Sequence, residues 1–578
     1  MDSKLLIGLA VVLGLLLVAF LGPQVAPPPP RDHGELLGGG RFVLESDGVI
    51  ILEEEYTVFF HPVEGYMLLS QGLLHAADQE IALAQQAQYD RDFLPIFYQL
   101  AADTPTGPQI VSAQMGLTGL TMEVRIGSAR HEAVVSDVAN LALLDNNLIG
   151  HYAMLLMALR AEALDREFTA AIPQALLSLP GRVDGPNSVE FRSADTIHKG
   201  KQFDVHLGDT HIVLIECKGR LAGLVNRTQG TVGYDAERFP GGIEILGEEE
   251  AQLPESVTEQ QVTFTNAGLT LASTLALPAG SGPFPAALFL HGSGPVDRDG
   301  NAAGLKMDAY RQLAHGLAEA GIASLRFDKR GVGTSEGNAS LASRANLLDD
   351  ARAALAALRS QPEIDPSRIL LIGHSEGAYL GPILAGEDDR IAGLALLAGA
   401  ARPLDEITRW QIETALRQQG ADDEQIGSAL EQEDEYIAFV EGSTGEWSDH
   451  SIEDLQAKLR WLADEAAAQL LSTPLSLSWL REHYTADTGG ALERVTCPVF
   501  VLNGEKDMQV PFAEGEAIRQ ILEASGNTDV TVQTLPDLNH LLRHHPEAPS
   551  LIFRHIEDPV DARVIELLRA WAVERLAP

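Results

Sequence analysis

A chain of 578 residues with a formal net charge of −41 has material for several domains, and its acidity excludes nucleic acid as a partner, because phosphate backbones are held by basic stripes. The same charge keeps the protein soluble and repels anionic partners. Cys217 and Cys497 lie far apart in sequence, so each is expected to be buried and free rather than bridged.

The first element is an uncharged apolar run, Leu5 to Gly22, preceded by Lys4 and followed by Pro27-Pro-Pro-Pro30. As a helix it spans ~27 Å, enough for the hydrocarbon core of a bilayer. It is longer than the apolar region of a cleavable signal peptide, and Gln24-Val25-Ala26 followed by Pro27 is a poor cleavage site. Residues 1–30 are therefore expected to be an uncleaved signal anchor and a stiff proline stalk, with the bulk of the chain outside the cytoplasm. Secretion after cleavage is the alternative. Any membrane contact is expected through this segment only.

Residues 40–253 read as a mainly antiparallel β accessory domain. Val49 to Phe60, Gly65 to Leu69, Thr121 to Ile126 and His211 to Cys217 have strand character and are broken by Gly, Asp or Asn turns. Asn147 to Ala163 is helix-like. A concave sheet of this kind could hold an apolar ligand, or it could simply pack and position its neighbour. Glu248 to Glu259, acidic and carrying Pro254, reads as a linker.

From 260 to 578 strands and helices alternate, the pattern of a parallel sheet covered on both faces. Two strand-like runs, Gln261 to Thr265 and Leu269 to Leu277, come first. Pro285 to Leu290 then runs into the glycine-flanked loop His291-Gly-Ser-Gly294, which can aim a backbone N–H at a reaction centre. The helix Asp308 to Ala320 and the strand Ile322 to Phe327 follow, leading into Asp328-Lys-Arg-Gly-Val-Gly-Thr-Ser335. Asp328 and Arg330 are expected to pin that loop.

After the helix Leu341 to Ser360 comes the short apolar strand Arg368 to Ile372, then Gly373-His-Ser-Glu-Gly377. Gly-x-Ser-x-Gly at a strand end places a serine hydroxyl on a tight strand-to-helix turn that only small flanking residues tolerate. A serine needs a base to take its proton and a third group to hold that base. Beyond Ile391 to Leu397 the alternation stops. Residues 404–488 show helical periods only (Glu406 to Gln419, Asp423 to Val440, Ile452 to Leu471), the placement of a helical cap that would roof a site and exclude water. Trp410, Trp447, Trp461, Trp479 and Tyr484 supply its apolar bulk, by default as packing core.

The strand Cys497 to Leu502 ends in a glycine turn, and Asp507 follows on the loop above the sheet edge; Glu505 and Asp537 are alternatives for the same role. The strand Val530 to Leu535 leads to His540, the candidate base. His544 and His545 are expected at the surface, with no second ligand cluster to make a metal site. The helix Val560 to Leu576 closes the chain.

These residues carry a resemblance. From about Val262 to Leu576 the chain resembles the α/β-hydrolase superfamily, in particular bacterial esterase-like members with an HGSGPxDRDG stretch, here His291 to Gly300, akin to the dienelactone-hydrolase and serine-aminopeptidase branches. The DxRGxGxS loop (Asp328 to Ser335), the NGxxDxxVP loop (Asn503 to Pro511) and Asn539-His540 stand in the same order. The resemblance implies a mostly parallel central sheet with helices on both faces and a helical cap. It does not specify a substrate.

The expected activity is that of a serine hydrolase cleaving a small ester or acyl substrate through an acyl-enzyme. Ser375 is the nucleophile, His540 the base and Asp507 the acid, with the N–H groups of Ser293 and Glu376 holding the oxyanion. This chemistry requires no metal or organic cofactor, and the sequence names no protein partner. Activity is expected to fall as pH drops through roughly 6–7, where a histidine of ordinary pKa gains its proton. Peptidase, thioesterase and acyltransferase chemistry use the same groups, and a peptidase would want an acidic anchor for an amine, which Glu431, Glu433, Asp434 and Glu435 permit. A different class, a lipid- or polymer-binding module with an assisting hydrolase, would put the function in residues 40–253.

Overall fold

The computed structural model describes residues 34–577 except 47–48, 77–78, 105–106, 127–128, 146–147, 209, 247–252, 303–304, 463, 472, 474 and 551–554. The expected anchor and stalk lie outside these residues. Among the described residues no helix is long and apolar enough to cross a membrane. The chain divides into two compact units between residues 250 and 251.

The C-terminal unit is built on an eight-stranded sheet. Its strands are β1 (Val257–Asn266), β2 (Leu269–Pro278), β3 (Phe284–Leu290), β4 (Ala323–Phe327), β5 (Ile364–His374), β6 (Ile391–Leu397), β7 (Val499–Gly504) and β8 (Val530–Leu535). They lie side by side in the order β1-β2-β4-β3-β5-β6-β7-β8. The β1–β2 hairpin and its junction with β4 are antiparallel, and every later pairing is parallel.

The central strands are apolar on both faces, so alternate residues feed two cores. Leu288, Leu371, Leu394 and Val501 join the helices Arg344–Arg359, Gly377–Glu387 and Glu514–Ala524 on one side. Phe289, Ile372, Ala395 and Phe500 join the helices Ala309–Glu319 and Ala562–Arg575, including Trp571, on the other. Between β6 and β7 the chain is helical, as the lost alternation anticipated. One expected helix is divided: Ile452–Lys458 stops at Leu459, and Asp464–Leu471 begins after it. Leu459 and Leu462 are both buried, and Gln456 Nε2 donates to the carbonyl of Leu462. The backbone leaves the helical path at Leu459, whose φ of −112° and ψ of 81° lie outside the helical region.

The N-terminal unit is one sixteen-stranded sheet, antiparallel throughout except where Glu167–Ile172 runs parallel to Leu141–Leu143. Its first strand, Glu35–Ser46, pairs both with the next, Val49–His61, and with Thr231–Asp235. Several strands lie outside the runs read from the sequence, among them Gln79–Tyr89 and Leu177–Ser193. Helix Gly150–Arg160 is mostly buried. At its start, Glu54, which shares the inward face of its strand with Leu52, Tyr56 and Val58, accepts from the N–H groups of Ile149 and Gly150. That places a carboxylate on the positive end of the helix dipole.

Burial nevertheless pushes the Glu54 carboxyl up from 4.5 to about 7, against the pull of those N–H groups. The folded state therefore keeps a proton that the unfolded chain releases, and this residue costs stability as pH rises from about 4.5 to about 7. Replacing Glu54 by Gln should remove that component. Thermal melts at pH 5 and pH 8 should show the wild type losing more of its melting temperature than Glu54→Gln. Equal losses would contradict the burial of a titrating carboxyl.

Candidate active site

Ser375 follows β5 with φ of 53°, the left-handed conformation of a sharp strand-to-helix turn. Its flanking glycines are required by space. A Cβ on Gly373 would sit 2.2 Å from the carbonyl oxygen of Gly377, and one on Gly377 would sit 2.1 Å from that of Leu290. The Ser375 N–H donates to Leu397 O at 3.0 Å, tying the turn to β6.

The structure brings Ser375, His540 and Asp507 together. His540 Nε2 lies 3.1 Å from Ser375 Oγ, and its Nδ1 lies 2.8 Å from Asp507 Oδ2. Asp507 is buried, and its other oxygen accepts the N–H groups of Gln509 and Val510 at 2.7 and 2.8 Å. The alternatives Glu505 and Asp537 make no hydrogen bond to His540. A proton can therefore pass from Oγ to Nε2 while Asp507 holds Nδ1–H and stabilises the resulting cation.

His540 is held from behind by residues to which the sequence assigns no role. Asn539 Oδ1 accepts from the N–H groups of Leu541 and Arg543, shaping the loop that carries His540. The His540 carbonyl can only accept, so His374 Nε2 donates to it at 2.9 Å. His374 Nδ1 then accepts a hydrogen bond from the Tyr310 hydroxyl at 3.1 Å, and the Tyr310 oxygen accepts from Gly292 N–H at 2.9 Å. This assignment needs a neutral His374. Burial, reinforced by His540, pulls its pKa down from 6.5 to about 4.

Of Ser293 and Glu376, the expected oxyanion donors, Glu376 follows Ser375 directly and Ser293 follows Gly292. Position 292 faces Ser375, since a Cβ there would lie 3.5 Å from Ser375 Cβ. Among the described residues the backbone N–H groups of Ser293 and Glu376 make no hydrogen bond. The Glu376 side chain is buried and contacts Lys329 Nζ at 2.7 Å, Trp479 Nε1 at 2.5 Å and His483 Nε2 at 3.2 Å. Burial opposes its charge, but Lys329 and His483 outweigh that and hold its pKa at about 2. Trp479 is thus a hydrogen-bond donor at the site as well as packing core.

The polar loops around the site are bolted to one another. Asp328 accepts from the backbone and guanidinium of Arg298 and from Thr334 N–H, and Arg330 pairs with Asp350. Arg326, fully buried, joins Asp299 and Glu259. Of the cap acids, Glu433 is buried, with its carboxyl pushed up to about 7 by burial, and Asp434 pairs with Arg409.

The expectation for the two histidines past His540 needs correction. His544 has an exposed side chain, but His545 is only 2 % exposed. A bridge between Leu538 and His544 and a bond from His545 N–H to Asp537 O fold the chain back, and the His545 ring goes under, with Nε2 on the carbonyl of Ala548. It also has the ligand-type neighbours it was expected to lack, since ligand atoms of His545, Glu547 and His555 lie within 4.8 Å of one another. His555, however, contacts Glu547 through Nε2 and Asp558 through Nδ1, each at 2.9 Å. Burial lowers its pKa, but the two carboxylates outweigh this and raise it above the ordinary value. A ring donating from both nitrogens has no lone pair to offer a metal.

A sheet in this strand order, with a strained serine turn after β5 and an acid and a histidine on the loops after β7 and β8, has the α/β-hydrolase architecture. The chain is a hydrolase of that class. Residues 303–547 match the family described as "Serine aminopeptidase, S33". Esterase EstD of Thermotoga maritima is 28% identical over 364 residues, covering 63% of this chain and 76% of that protein. Thiohydrolase apmlB of Arthrinium phaeospermum is 35% identical over 95 residues, which is 16% of this chain and 31% of that one. Among solved structures, Est1E from Butyrivibrio proteoclasticus is 17% identical with a TM-score of 0.35, covering 55% of this chain and all of its own. The α/β hydrolase GrgF from Penicillium is 18% identical with a TM-score of 0.36, covering 56% and 100%.

Proposed function

We propose that the protein hydrolyses carboxylic esters through an acyl-enzyme on Ser375. The observation that carries this reading is the continuous hydrogen-bonded line Asp507–His540–Ser375. Ser375 Oγ attacks the carbonyl carbon as His540 Nε2 takes its proton. The carbonyl oxygen becomes an oxyanion facing the N–H groups of Ser293 and Glu376, each contributing ~3 kcal/mol to the transition state. Collapse expels the alcohol, which leaves with the proton from His540. Water, deprotonated by the same ring, then releases the acid. Arg298, Lys329 and Arg330 are engaged in ion pairs with Asp328, Glu376 and Asp350 and serve the framework.

The name of the Thermotoga relative favours the ester reading, and the description of the matched family favours a peptide one. One comparison separates them: p-nitrophenyl esters, the matching thioesters and aminoacyl p-nitroanilides assayed side by side on the whole chain. Turnover of the esters at least tenfold above the anilides in kcat/KM is the expected result, a difference of about 1.4 kcal/mol. Preference for the anilides would replace the proposal with a peptidase.

A further inference from the structure

We propose that Lys329 is a positioning residue that aims the oxyanion donors, by tying the loop of Ser293 to the turn of Glu376; this rests on the assignment of Ser375 as nucleophile. Lys329 is buried beside the site. Its Nζ donates to the carbonyls of Gly292 at 2.6 Å and Gly294 at 3.2 Å and to Glu376 Oε2 at 2.7 Å. An ammonium has three protons, and each here has an acceptor.

The bond to Gly292 decides the matter. Its C=O and the Ser293 N–H belong to one peptide unit, and a planar trans peptide points the two groups in opposite directions. Gripping the oxygen from behind therefore turns the Ser293 N–H the other way. The second bond, to Gly294 O, holds the Gly294–Pro295 peptide unit, two units further on, and limits rotation of the loop; Gly294 has φ of 82°, a conformation only glycine takes freely. The third acceptor belongs to the residue whose own N–H is the other donor.

Glu376 extends the clamp into the cap. Its Oε2 faces Lys329, while Oε1 takes Trp479 Nε1 and lies against His483, one turn further along helix Leu477–Tyr484. The charges of Lys329 and Glu376 balance, so the buried pair leaves no net charge beside the developing oxyanion. Among the described residues Lys329 makes no hydrogen bond or ion pair with Ser375 or His540, so its effect on rate acts through the peptide planes it holds.

The test compares Lys329→Met, Lys329→Met/Glu376→Gln and the wild type in kcat and KM for a short p-nitrophenyl ester, in melting temperature, and in inhibition by a boronic acid, which mimics the tetrahedral adduct. Lys329→Met should lower kcat about 10²-fold, the scale of a misplacement near 1 Å, and weaken the boronate in parallel, with KM changed by less than about threefold. The double variant also removes the buried carboxylate that Lys329→Met leaves without its ammonium partner, and should regain melting temperature without regaining kcat, because the Gly292 carbonyl is still unheld. Recovery of kcat together with stability would show that Lys329 only balances Glu376 and would overturn the proposal, as would wild-type kcat in Lys329→Met. If Lys329→Met does not fold, the double variant alone decides. A wrong nucleophile shows itself separately, as wild-type turnover that survives Ser375→Ala.

Discussion

Ser375→Ala is expected to lower ester turnover by about 10⁶-fold, the loss that follows when a triad nucleophile is removed. The fold should survive the change. Alanine carries the same Cβ at the same positive φ, and the turn is held by the backbone bond to Leu397 O and the glycines on either side, none of which involves the hydroxyl. What is lost is the atom 3.1 Å from His540 Nε2. Steady-state kinetics on an activated ester, with circular dichroism to check the fold, measure the effect. Activity within tenfold of wild type would mean that the bond is broken elsewhere.

Asp507→Asn should cost about 10⁴-fold in kcat, and the reason can be read from the bonds of the carboxylate. One oxygen accepts from two backbone N–H groups, those of Gln509 and Val510, and the other accepts from His540 Nδ1. An asparagine must keep its carbonyl oxygen on the two N–H groups, so its NH₂ faces His540. The ring must then accept at Nδ1 and carry its proton on Nε2, which points at Ser375 Oγ as a donor and cannot act as a base. Near-normal KM with the collapsed kcat is the expected signature. A loss below tenfold would show that the aspartate does not set the tautomer.

Parts of this arrangement were legible in the chain because they are local. Gly373 to Gly377 after a buried strand specifies a serine turn by sterics alone, and the order serine, acid, histidine at the ends of successive strands narrows the partners to a few positions. Asp507 stood beside Glu505 and Asp537 in the sequence; the structure separates them, since Asp507 alone of the three meets His540.

Contacts between distant segments were not legible. Nothing in Lys329 indicates that it reaches Gly292, Gly294 and Glu376, or in Trp479 that its ring nitrogen finds Glu376 across more than a hundred residues. His545 lies in a polar stretch, and only the fold-back at Leu538 and His544 buries it. The accessory sheet was legible in character and not in extent. Gln79–Tyr89 buries Ile81, Leu83, Ala87 and Tyr89 on one face, but Gln85 stands in the middle of that face and alanines and glutamines fill most of the rest, so its apolar pattern is weak and its pairing with Gly65–Ala76 and Pro95–Thr104 leans on neighbours. The division at Leu459 likewise shows only in the non-helical backbone there, with no proline or glycine in the sequence to announce it.

The central claim, that Ser375 becomes the acylated nucleophile, is tested most directly by treating the intact protein with a fluorophosphonate and mapping the modified peptide by mass spectrometry. A single adduct on Ser375, absent from His540→Ala over the same interval, is the expected result. An active protein that carries its adduct on another residue, or none, would contradict it.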